Sequence, residues 1–343
     1  MQRVVLTLLA LLVSVPALAA KPVKVPYTYV RVGQADVTTP SQYGIALMGG
    51  AYDVDEGFRW MCDLSGNGDF LTIRAAGTID EYNDYVPVVC PNANSVATLI
   101  IPSLDAANHP DVAAIISKAE AIFVAGGDQS LYVNYWIGTP VQTALQERLA
   151  HGIPVGGISA GLAVLSQYIY SAQLSQGAKS PAALADPFNR YMTLAKDLFD
   201  IPFLKNVIAD THFSARDRMG RSVAFLGRLS ASYGVAMPRG VAVDERMAVL
   251  VDAQGIGTVV EQPVEGTTPN HVYFLAAPGA PEVCVEKTPL TYRNIAVQRL
   301  GNGETFDLNT WAHVAGFASD FAAYQVSAEA GVLSSTQAGG SVY

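Results

Sequence analysis

The sequence predicts an α/β fold in which helices cover both faces of a mostly parallel sheet. Short apolar segments alternate with segments of helical apolar spacing between about residues 45 and 251. Half of the 343 residues are apolar and only 15% are charged, which excludes a disordered chain. Glycine and proline are spread throughout, which excludes a coiled coil. Continuous apolar strands alternating with helices are typical of a sheet buried on both sides.

The predicted elements follow in chain order. The first five strands are expected at 45–48, 70–73, 97–101, 121–125 and 153–157. Helices are expected over 111–119, which begins with an acidic residue, and through Val141, Leu145 and Leu149 to about Gly152.

Beyond Ser159 the sequence predicts a helix, a loop near 180–187, a strand over 204–209 and a helix that carries Arg216, Arg218 and Arg221. Two further apolar segments, 241–243 and 248–251, are predicted to pair as a hairpin. From about residue 255 only strands and turns are expected. The predicted organisation is an extended arm over 20–42, an α/β domain over 43–254 and a β-rich extension over 255–343 packed on the same domain.

The first 19 residues have the pattern of a secretory signal peptide. Arg3 precedes an apolar run over 4–15, and Ala17-Leu18-Ala19 supplies the small-x-small cleavage pattern. A membrane anchor is the alternative, but the run is shorter than the roughly 20 residues that span a bilayer. We therefore expect a periplasmic or secreted protein, with no membrane anchor after cleavage.

Charge and cysteine content narrow the functional classes. A net charge of −9 argues against a nucleic-acid-binding protein, because phosphate neutralisation needs a basic surface. In an oxidising compartment Cys62 and Cys90 could form a disulfide, with Cys284 left over, and three free thiols are the equal alternative. No cysteine or histidine cluster has the spacing of a metal site, so no metal is expected.

Gly157-Ile158-Ser159-Ala160-Gly161 lies between a predicted strand and a predicted helix. This G-x-S-x-G context is that of a nucleophile elbow, in which small neighbours permit a tight turn that exposes the serine hydroxyl. The alternative is a serine that caps the following helix.

A serine nucleophile needs a base and an orienting acid. Of the five histidines, His212 directly follows an apolar strand, and the functional sites of α/β sheets lie at the carboxyl ends of strands. Asp244 and Glu245 also follow a strand, and a carboxylate there could orient an imidazole. The order Ser, His, acid differs from the α/β-hydrolase order of Ser, acid, His, which disfavours an esterase of that fold.

Four segments together resemble the cyanophycinases, a family of serine peptidases that also holds peptidase E. They are Gly126-Gly127-Asp128-Gln129, the segment around Ser159, the block from Asp210 to Arg221, and Asp244-Glu245. The resemblance covers roughly residues 43–252. It implies a fold like that of the class I glutamine amidotransferases (flavodoxin-like), with serine in place of their cysteine.

The resemblance also implies a role for each matched residue. Ser159 would be the nucleophile, His212 the base and Glu245 the orienting acid, and Gly127 and Ala160 would offer oxyanion-hole amides. The residues that would line or support the substrate pocket are Gln129, Asp210, Thr211, Arg216, Arg218 and Arg221. Thr211 departs from the family block, which usually has glutamine at that position.

The implied activity is hydrolysis of cyanophycin, a poly-aspartate with arginine on each β-carboxyl, to β-Asp-Arg dipeptides through an acyl-enzyme. No cofactor is implied, and relatives suggest a homodimer. One alternative is a secreted serine hydrolase of the same scaffold that acts on other Asp- or isoAsp-containing peptides. Another is a non-catalytic envelope binding protein.

Overall fold

The computed structural model describes residues 25–314 and 320–343. The predicted signal peptide over 1–19 and the first residues of the predicted arm lie outside the described residues. Among the described helices, none is long and apolar enough to cross a membrane.

Ten of the described strands form the first sheet, in the order β1-β4-β3-β5-β6-β2-β11-β12-β15-β16. Its centre, from β4 to β2, is parallel, and every pairing outside that centre is antiparallel. The predicted arm contributes β1, an edge strand antiparallel to β4. The strands are β1 (Thr28–Gly33), β2 (Gly44–Met48), β3 (Asp69–Arg74), β4 (Ser95–Ile100), β5 (Ala121–Val124), β6 (Pro154–Ile158), β11 (Met247–Val251), β12 (Ile256–Glu261), β15 (Thr305–Asp307) and β16 (Ala312–Val314).

Eight described strands form a second sheet, in the order β18-β17-β14-β13-β10-β9-β7-β8. Only β10 with β9 and β9 with β7 are parallel. The strands are β7 (Tyr168–Tyr170), β8 (Leu194–Lys196), β9 (Val207–Asp210), β10 (Arg239–Val243), β13 (Val272–Ala276), β14 (Tyr292–Leu300), β17 (Phe321–Glu329) and β18 (Val332–Ser335).

The predicted α/β class is confirmed, but the prediction of one mostly parallel sheet is wrong. Within the described residues six of the sixteen strand pairings are parallel. Parallel strands need long crossovers, whereas the chain after β11 has mainly short turns between strands, so consecutive strands pair antiparallel. These strands extend both sheets and make the C-terminal region β-rich. β11 pairs with β12 across the predicted boundary at residue 254, and the division into domains stays a prediction.

The predicted hairpin of 241–243 with 248–251 is also wrong. β10 belongs to the second sheet and pairs with β9 and β13, whereas β11 belongs to the first sheet and pairs with β2 and β12. Asp244-Glu245-Arg246 carries the chain from one sheet to the other. Both strands are almost wholly buried. Each is covered on both faces inside its own sheet, which an exposed hairpin would not provide.

Helices flank both sheets. The helix predicted to carry three arginines begins only at Met219: Arg216 ends a 3₁₀ turn over Ser214–Arg216, and Arg218 precedes the helix. Asp217 between them has a left-handed backbone (φ 48°), which an α-helix does not accommodate. The helices are α1 (Asp55–Leu64), α2 (Asp80–Val89), α3 (Leu104–Ala107), α4 (Pro110–Ile116), α5 (Gln129–Trp136), α6 (Pro140–Ala150), α7 (Ala160–Ala163), α8 (Ser180–Ala185) and α9 (Met219–Tyr233).

Cys62 in α1 and Cys90 just after α2 are joined by a disulfide, with their Cα atoms 6.3 Å apart. Cys284 is buried and is not part of this bond. The bond joins two helices that cover the same face of the first sheet, beside a cluster of packed aromatic rings around Phe58.

Candidate active site

Ser159 lies at a sharp turn between β6 and α7. Its backbone is in a strained region (φ 52°, ψ −113°) that few residues other than glycine adopt. The flanking glycines make this turn possible: a Cβ on Gly161 would lie 1.9 Å from the carbonyl oxygen of Val124, and one on Gly157 would lie 2.6 Å from the backbone of Gly161. The turn is therefore built as a nucleophile elbow requires, with the serine side chain partly exposed.

His212 comes from the second sheet, at the carboxyl end of β9. Its Nε2 lies 2.8 Å from Ser159 Oγ. Its backbone N–H donates to the carbonyl of Gly49, which follows β2 of the first sheet. A Cβ on Gly50 would lie 2.5 Å from the imidazole ring, so the glycine pair after β2 allows the ring to approach Ser159.

Glu245 completes a hydrogen-bonded line. Its Oε1 accepts from His212 Nδ1 at 2.7 Å. With the Nδ1 proton held there, Nε2 is free to accept the proton of the Ser159 hydroxyl. The neighbouring Asp244 faces elsewhere, since its carboxylate accepts the backbone N–H groups of Ser214 and His271. Of the two acids that the sequence left open, Glu245 is the one that contacts the imidazole.

The surroundings of His212 favour a neutral imidazole. Burial lowers the pKa of His212 below its usual value, and the positive charges of Arg216 and Arg218 lower it further. The hydrogen bond and the charge of Glu245 act in the opposite direction. A neutral ring at neutral pH is the form that can accept a proton.

Two backbone amides lie where an oxyanion could be held. Ala160 is the first residue of α7, so its N–H has no acceptor within that helix. Gly127 is exposed in the turn after β5, and no described residue accepts a hydrogen bond from its N–H. Its neighbour Gly126 approaches Ser159 closely, since a Cβ there would lie 3.7 Å from the Cβ of Ser159. Gly127 lines the same pocket as Ser159, and Ala160 directly follows Ser159 in the chain.

An open pocket of about 310 Å³ adjoins the Ser159 hydroxyl and His212. Its far wall is charged. Arg74 pairs there with Glu81, and its guanidinium also donates to the carbonyls of Ala76 and Thr78. Asp53 has no such partner among the described cations. It accepts only from the hydroxyl of Tyr82, at 3.3 Å.

Asp53 is therefore an acid of this pocket that has no ion pair with a described residue. Burial, and next the charge of Glu81, raise the pKa of Asp53 to about 6. The carboxylate is ionised above that pH, and a cationic group entering the pocket would stabilise the ionised form.

A buried charged cluster lies behind His212. The Asp210 carboxylate accepts from Arg221 Nε at 2.8 Å, from Ser222 Oγ at 2.8 Å and from the backbone N–H of Thr211 at 2.8 Å. Burial raises the pKa of Asp210, but the charge and hydrogen bonds of Arg221 outweigh it, and the net pKa is lowered. The cluster holds β9 against the start of α9.

Arg218 and Thr211 belong to the same cluster. Arg218 donates to the carbonyl oxygen of Thr211 at 2.6 Å and to its hydroxyl at 3.1 Å, and it lies 3.4 Å from Asp210. Burial lowers the pKa of Arg218 to about 10, which leaves it charged at neutral pH. Arg218, Arg221 and Thr211 thus support the His212 segment from within and do not line the pocket.

Two further predicted residues lie apart from this cluster. The Arg216 side chain is exposed, and no described residue accepts a hydrogen bond from its guanidinium. Gln129, at the start of α5, donates to the carbonyl of Tyr170 at 3.3 Å. Neither residue lines the pocket beside Ser159, and Arg216 differs from Arg218 and Arg221 in that its side chain is exposed.

Sequence reasoning missed the charged wall of the pocket. Asp53 precedes α1 and Glu81 lies in the first turn of α2, two helices that were not predicted. Arg74 directly follows the strand predicted at 70–73. Their common place beside Ser159 follows from the packing of α1 and α2 on the first sheet. The available signal was the acidic start of each of these two helices. No group of acids, histidines and cysteines in the described residues could hold a metal ion.

Comparison with known proteins relates the chain to a peptidase family. Residues 71–227 match the model of peptidase family S51. The chain is 28% identical over 206 residues to a cyanophycinase of Geminocystis herdmanii, which covers 59% of this chain and 67% of that protein. It is 30% identical over 219 residues to a cyanophycinase of Trichormus variabilis, which covers 63% of this chain and 66% of that protein.

A solved structure supports the fold. A peptidase from an acI-B1 Actinobacterium superposes with a TM-score of 0.53 at 17% identity, over 78% of this chain and 98% of that one. The matched segments span about two thirds of the curated relatives, and the matched residues include the Ser159 elbow and the block from Asp210 to Arg221. The chain is therefore a cyanophycinase-like serine peptidase that resembles family S51.

Proposed function

We propose that this peptidase hydrolyses cyanophycin to β-Asp-Arg dipeptides through an acyl-enzyme, with Ser159, His212 and Glu245 as its catalytic residues. The observation that carries the proposal is the hydrogen-bonded line from Glu245 through His212 to Ser159, at 2.7 and 2.8 Å, beside an acidic pocket. The scaffold is proposed to be related to that of the class I glutamine amidotransferases.

The proposed reaction begins when Ser159 Oγ attacks a backbone carbonyl carbon and its proton passes to His212 Nε2. The amides of Gly127 and Ala160 stabilise the oxyanion of the tetrahedral intermediate. His212 then gives the proton to the leaving nitrogen, the C–N bond breaks, and the acyl ester remains on Ser159. A water molecule gives one proton to His212 and its oxygen attacks the ester carbon. When the ester C–O bond breaks, His212 returns that proton to Ser159 Oγ, which restores the hydroxyl and releases the acid product.

The charges around the site suit a substrate that carries both signs. Cyanophycin offers guanidinium groups, and the Asp53 carboxylate in the pocket can pair with one of them. It also offers a terminal carboxylate, and the exposed guanidinium of Arg216 can pair with that group. An overall net charge of −9 is compatible with a polymer rich in arginine.

The test is incubation of the purified protein with insoluble cyanophycin, beside Ser159→Ala. We expect clearing and release of β-Asp-Arg with the wild type, and a loss of several orders of magnitude in turnover with the variant. Asp53→Asn should weaken binding of the arginine-bearing polymer above pH 6, where Asp53 is ionised. Equal activity of Ser159→Ala would disprove the nucleophile.

A second candidate is hydrolysis of other Asp- or isoAsp-containing peptides. Thr211 favours it, because this side chain is buried and bound to Arg218, so it presents no amide to a substrate. Absence of clearing while Ser159 still reacts with a phosphonate probe would select this candidate. If the protein neither clears cyanophycin nor reacts with the phosphonate, a non-catalytic binding protein becomes the favoured alternative.

We also propose that the protein is exported to the periplasm or beyond. The signal pattern over 1–19 and the Cys62–Cys90 disulfide support this, since disulfides persist in oxidising compartments. Fractionation of the native host with mass analysis of the mature N-terminus tests the proposal, and a cytoplasmic protein that begins at Met1 would disprove it. The suggested homodimer is tested by light scattering of the purified protein.

A further inference from the structure

The hydroxyl of Tyr343 lies between two residues of the segment that follows His212. It donates to Asp217 Oδ1 at 2.9 Å and accepts from the backbone N–H of Met219 at 2.9 Å. The residues in contact are separated by more than 120 positions in sequence. Burial raises the pKa of Tyr343, so the hydroxyl keeps its proton. One side chain thus bridges both sides of Arg218.

The ring of Tyr343 also packs beside the site. It meets Phe213 edge-on, with centroids 5.6 Å apart, and Phe213 is the fully buried neighbour of His212. The segment that holds Tyr343 is itself tied to the second sheet, because Tyr324 of β17 donates to the carbonyl of Val342 at 3.0 Å. Gln337 donates to the carbonyl of Tyr343 at 3.2 Å.

The segment 213–219 needs such a contact for a physical reason. Met219 begins α9, and the N–H groups of a first turn have no acceptor within the helix. Arg218 at the preceding position offers no capping oxygen, and the Tyr343 hydroxyl takes that role. The same Tyr343 hydroxyl donates to the side chain of Asp217 and so helps to hold the left-handed backbone of that residue.

We propose that Tyr343 is a positioning residue that sets the place of Arg216 beside His212, acting through Asp217. This inference rests on the proposed function, in which Arg216 binds a carboxylate of the substrate. His212 itself is held independently by the carbonyl of Gly49 and by Glu245. Loss of the Tyr343 hydroxyl should therefore affect substrate binding more than the chemical step.

The test is Tyr343→Phe, which keeps the ring and removes the hydroxyl. We expect KM for the β-Asp-Arg polymer to rise about fivefold, with kcat within about twofold of wild type. In an Arg216→Ala background the same substitution should not raise KM further, because the residue that it positions is gone. Tyr292→Phe is the matched control, since the hydroxyl of Tyr292, in β14, donates to the carbonyl of Gly279 and not to the segment 213–219.

Two results would overturn the positioning role. One is a KM for Tyr343→Phe equal to that of the Tyr292→Phe control. The other is a KM increase that persists in full when Arg216 is absent, which would indicate a general loss of structure.

If the wild type does not cleave the polymer, the proposed function fails and the inference is tested without substrate. The readout is then the pH midpoint of Ser159 labelling by a phosphonate, which follows the ionisation of His212. Arg216 and Arg218 lower the pKa of His212 and Glu245 raises it. Displacement of Arg216 should move the midpoint to higher pH in Tyr343→Phe. When Tyr343→Phe is added to Arg216→Ala, the midpoint should stay where Arg216→Ala alone has it. An unchanged midpoint in Tyr343→Phe alone would overturn the inference.

Discussion

The two sheets hold their parts of the site by different means. Ser159, from the first sheet, is held by backbone packing, in which glycines at 157 and 161 allow neighbouring main chains to touch. His212, from the second sheet, is held by the Gly49 carbonyl and Glu245. The residues around it are held by the buried Asp210 carboxylate with its arginines, by Asp244 and by Tyr343. The nucleophile side depends on steric fit over five consecutive residues, and the base side depends on charge and hydrogen bonds between residues distant in sequence.

The largest effect is expected on the base side, from Asp210→Asn. The change leaves the buried Arg221 without its counter-charge, which typically costs about 3–5 kcal/mol of stability. Denaturant unfolding measures it, with the exposed Glu329→Gln as the control, where less than about 1 kcal/mol is expected.

The pH dependence has a definite sign. Because the folded-state pKa of Asp210 is lowered, its contribution to stability is present above the unfolded pKa and is lost as pH falls through the folded pKa. In Asp210→Asn the free energy of unfolding should therefore fall less steeply as the pH is lowered through that range. Equal stability of Asp210→Asn and Glu329→Gln would contradict a charge-based support of the base side.

On the nucleophile side we expect Gly161→Ala to cost about 3 kcal/mol, because its Cβ would overlap the Val124 carbonyl. Gly138→Ala is the control: nothing lies within 4 Å of the added Cβ, and only backbone strain of about 1 kcal/mol is expected at its φ of 75°. Thermal and denaturant unfolding of the two variants measure the difference. Equal costs would show that steric fit does not hold the elbow.

Glu245→Gln tests the hydrogen-bonded line from Glu245 through His212 to Ser159, which joins the two sheets. We expect turnover to fall about 100-fold, because a neutral amide does not stabilise the imidazolium. The fold should be unchanged, since the Glu245 side chain is 30% exposed. Glu282→Gln, at an exposed ion pair, is the control. Turnover that survives in Glu245→Gln but is lost in Asp244→Asn would transfer the orienting role to Asp244.

The smallest expected effect is electrostatic. Arg216→Ala removes a positive charge that lowers the pKa of His212, so that pKa should rise. The acid limb of kcat/KM, which reports ionisation of the free enzyme, should then move to higher pH. Arg293→Ala, an exposed arginine of β14, should leave the limb in place. An acid limb that moves equally in both variants would show that Arg216 has no specific effect on the pKa of His212.

The difference between the two sides also explains what the sequence could predict. The elbow was predictable because its requirements are local: a strand, two glycines and a serine within five residues. The choice of Glu245 over Asp244 came from the family resemblance, and the contacts with Ser214 and His271 that engage Asp244 come from distant segments. The pocket acid Asp53 depends on where α1 and α2 pack, which the local pattern does not state.

The α/β class, the main strands around the site, the nucleophile elbow and the family resemblance could all be predicted from the sequence alone. Each depends on short-range chemistry: apolar periodicity, small residues at a turn, and the grouping of polar residues at strand ends. The packing of distant segments, in contrast, arranges the described strands in two mixed sheets and places β10 and β11 in different ones. It also decided that the arginines after His212 divide into buried Arg218 and Arg221 and exposed Arg216. Strand pairing and burial of charge are set by which distant surfaces meet, because hydrogen bonds and desolvation depend on all the groups around a residue.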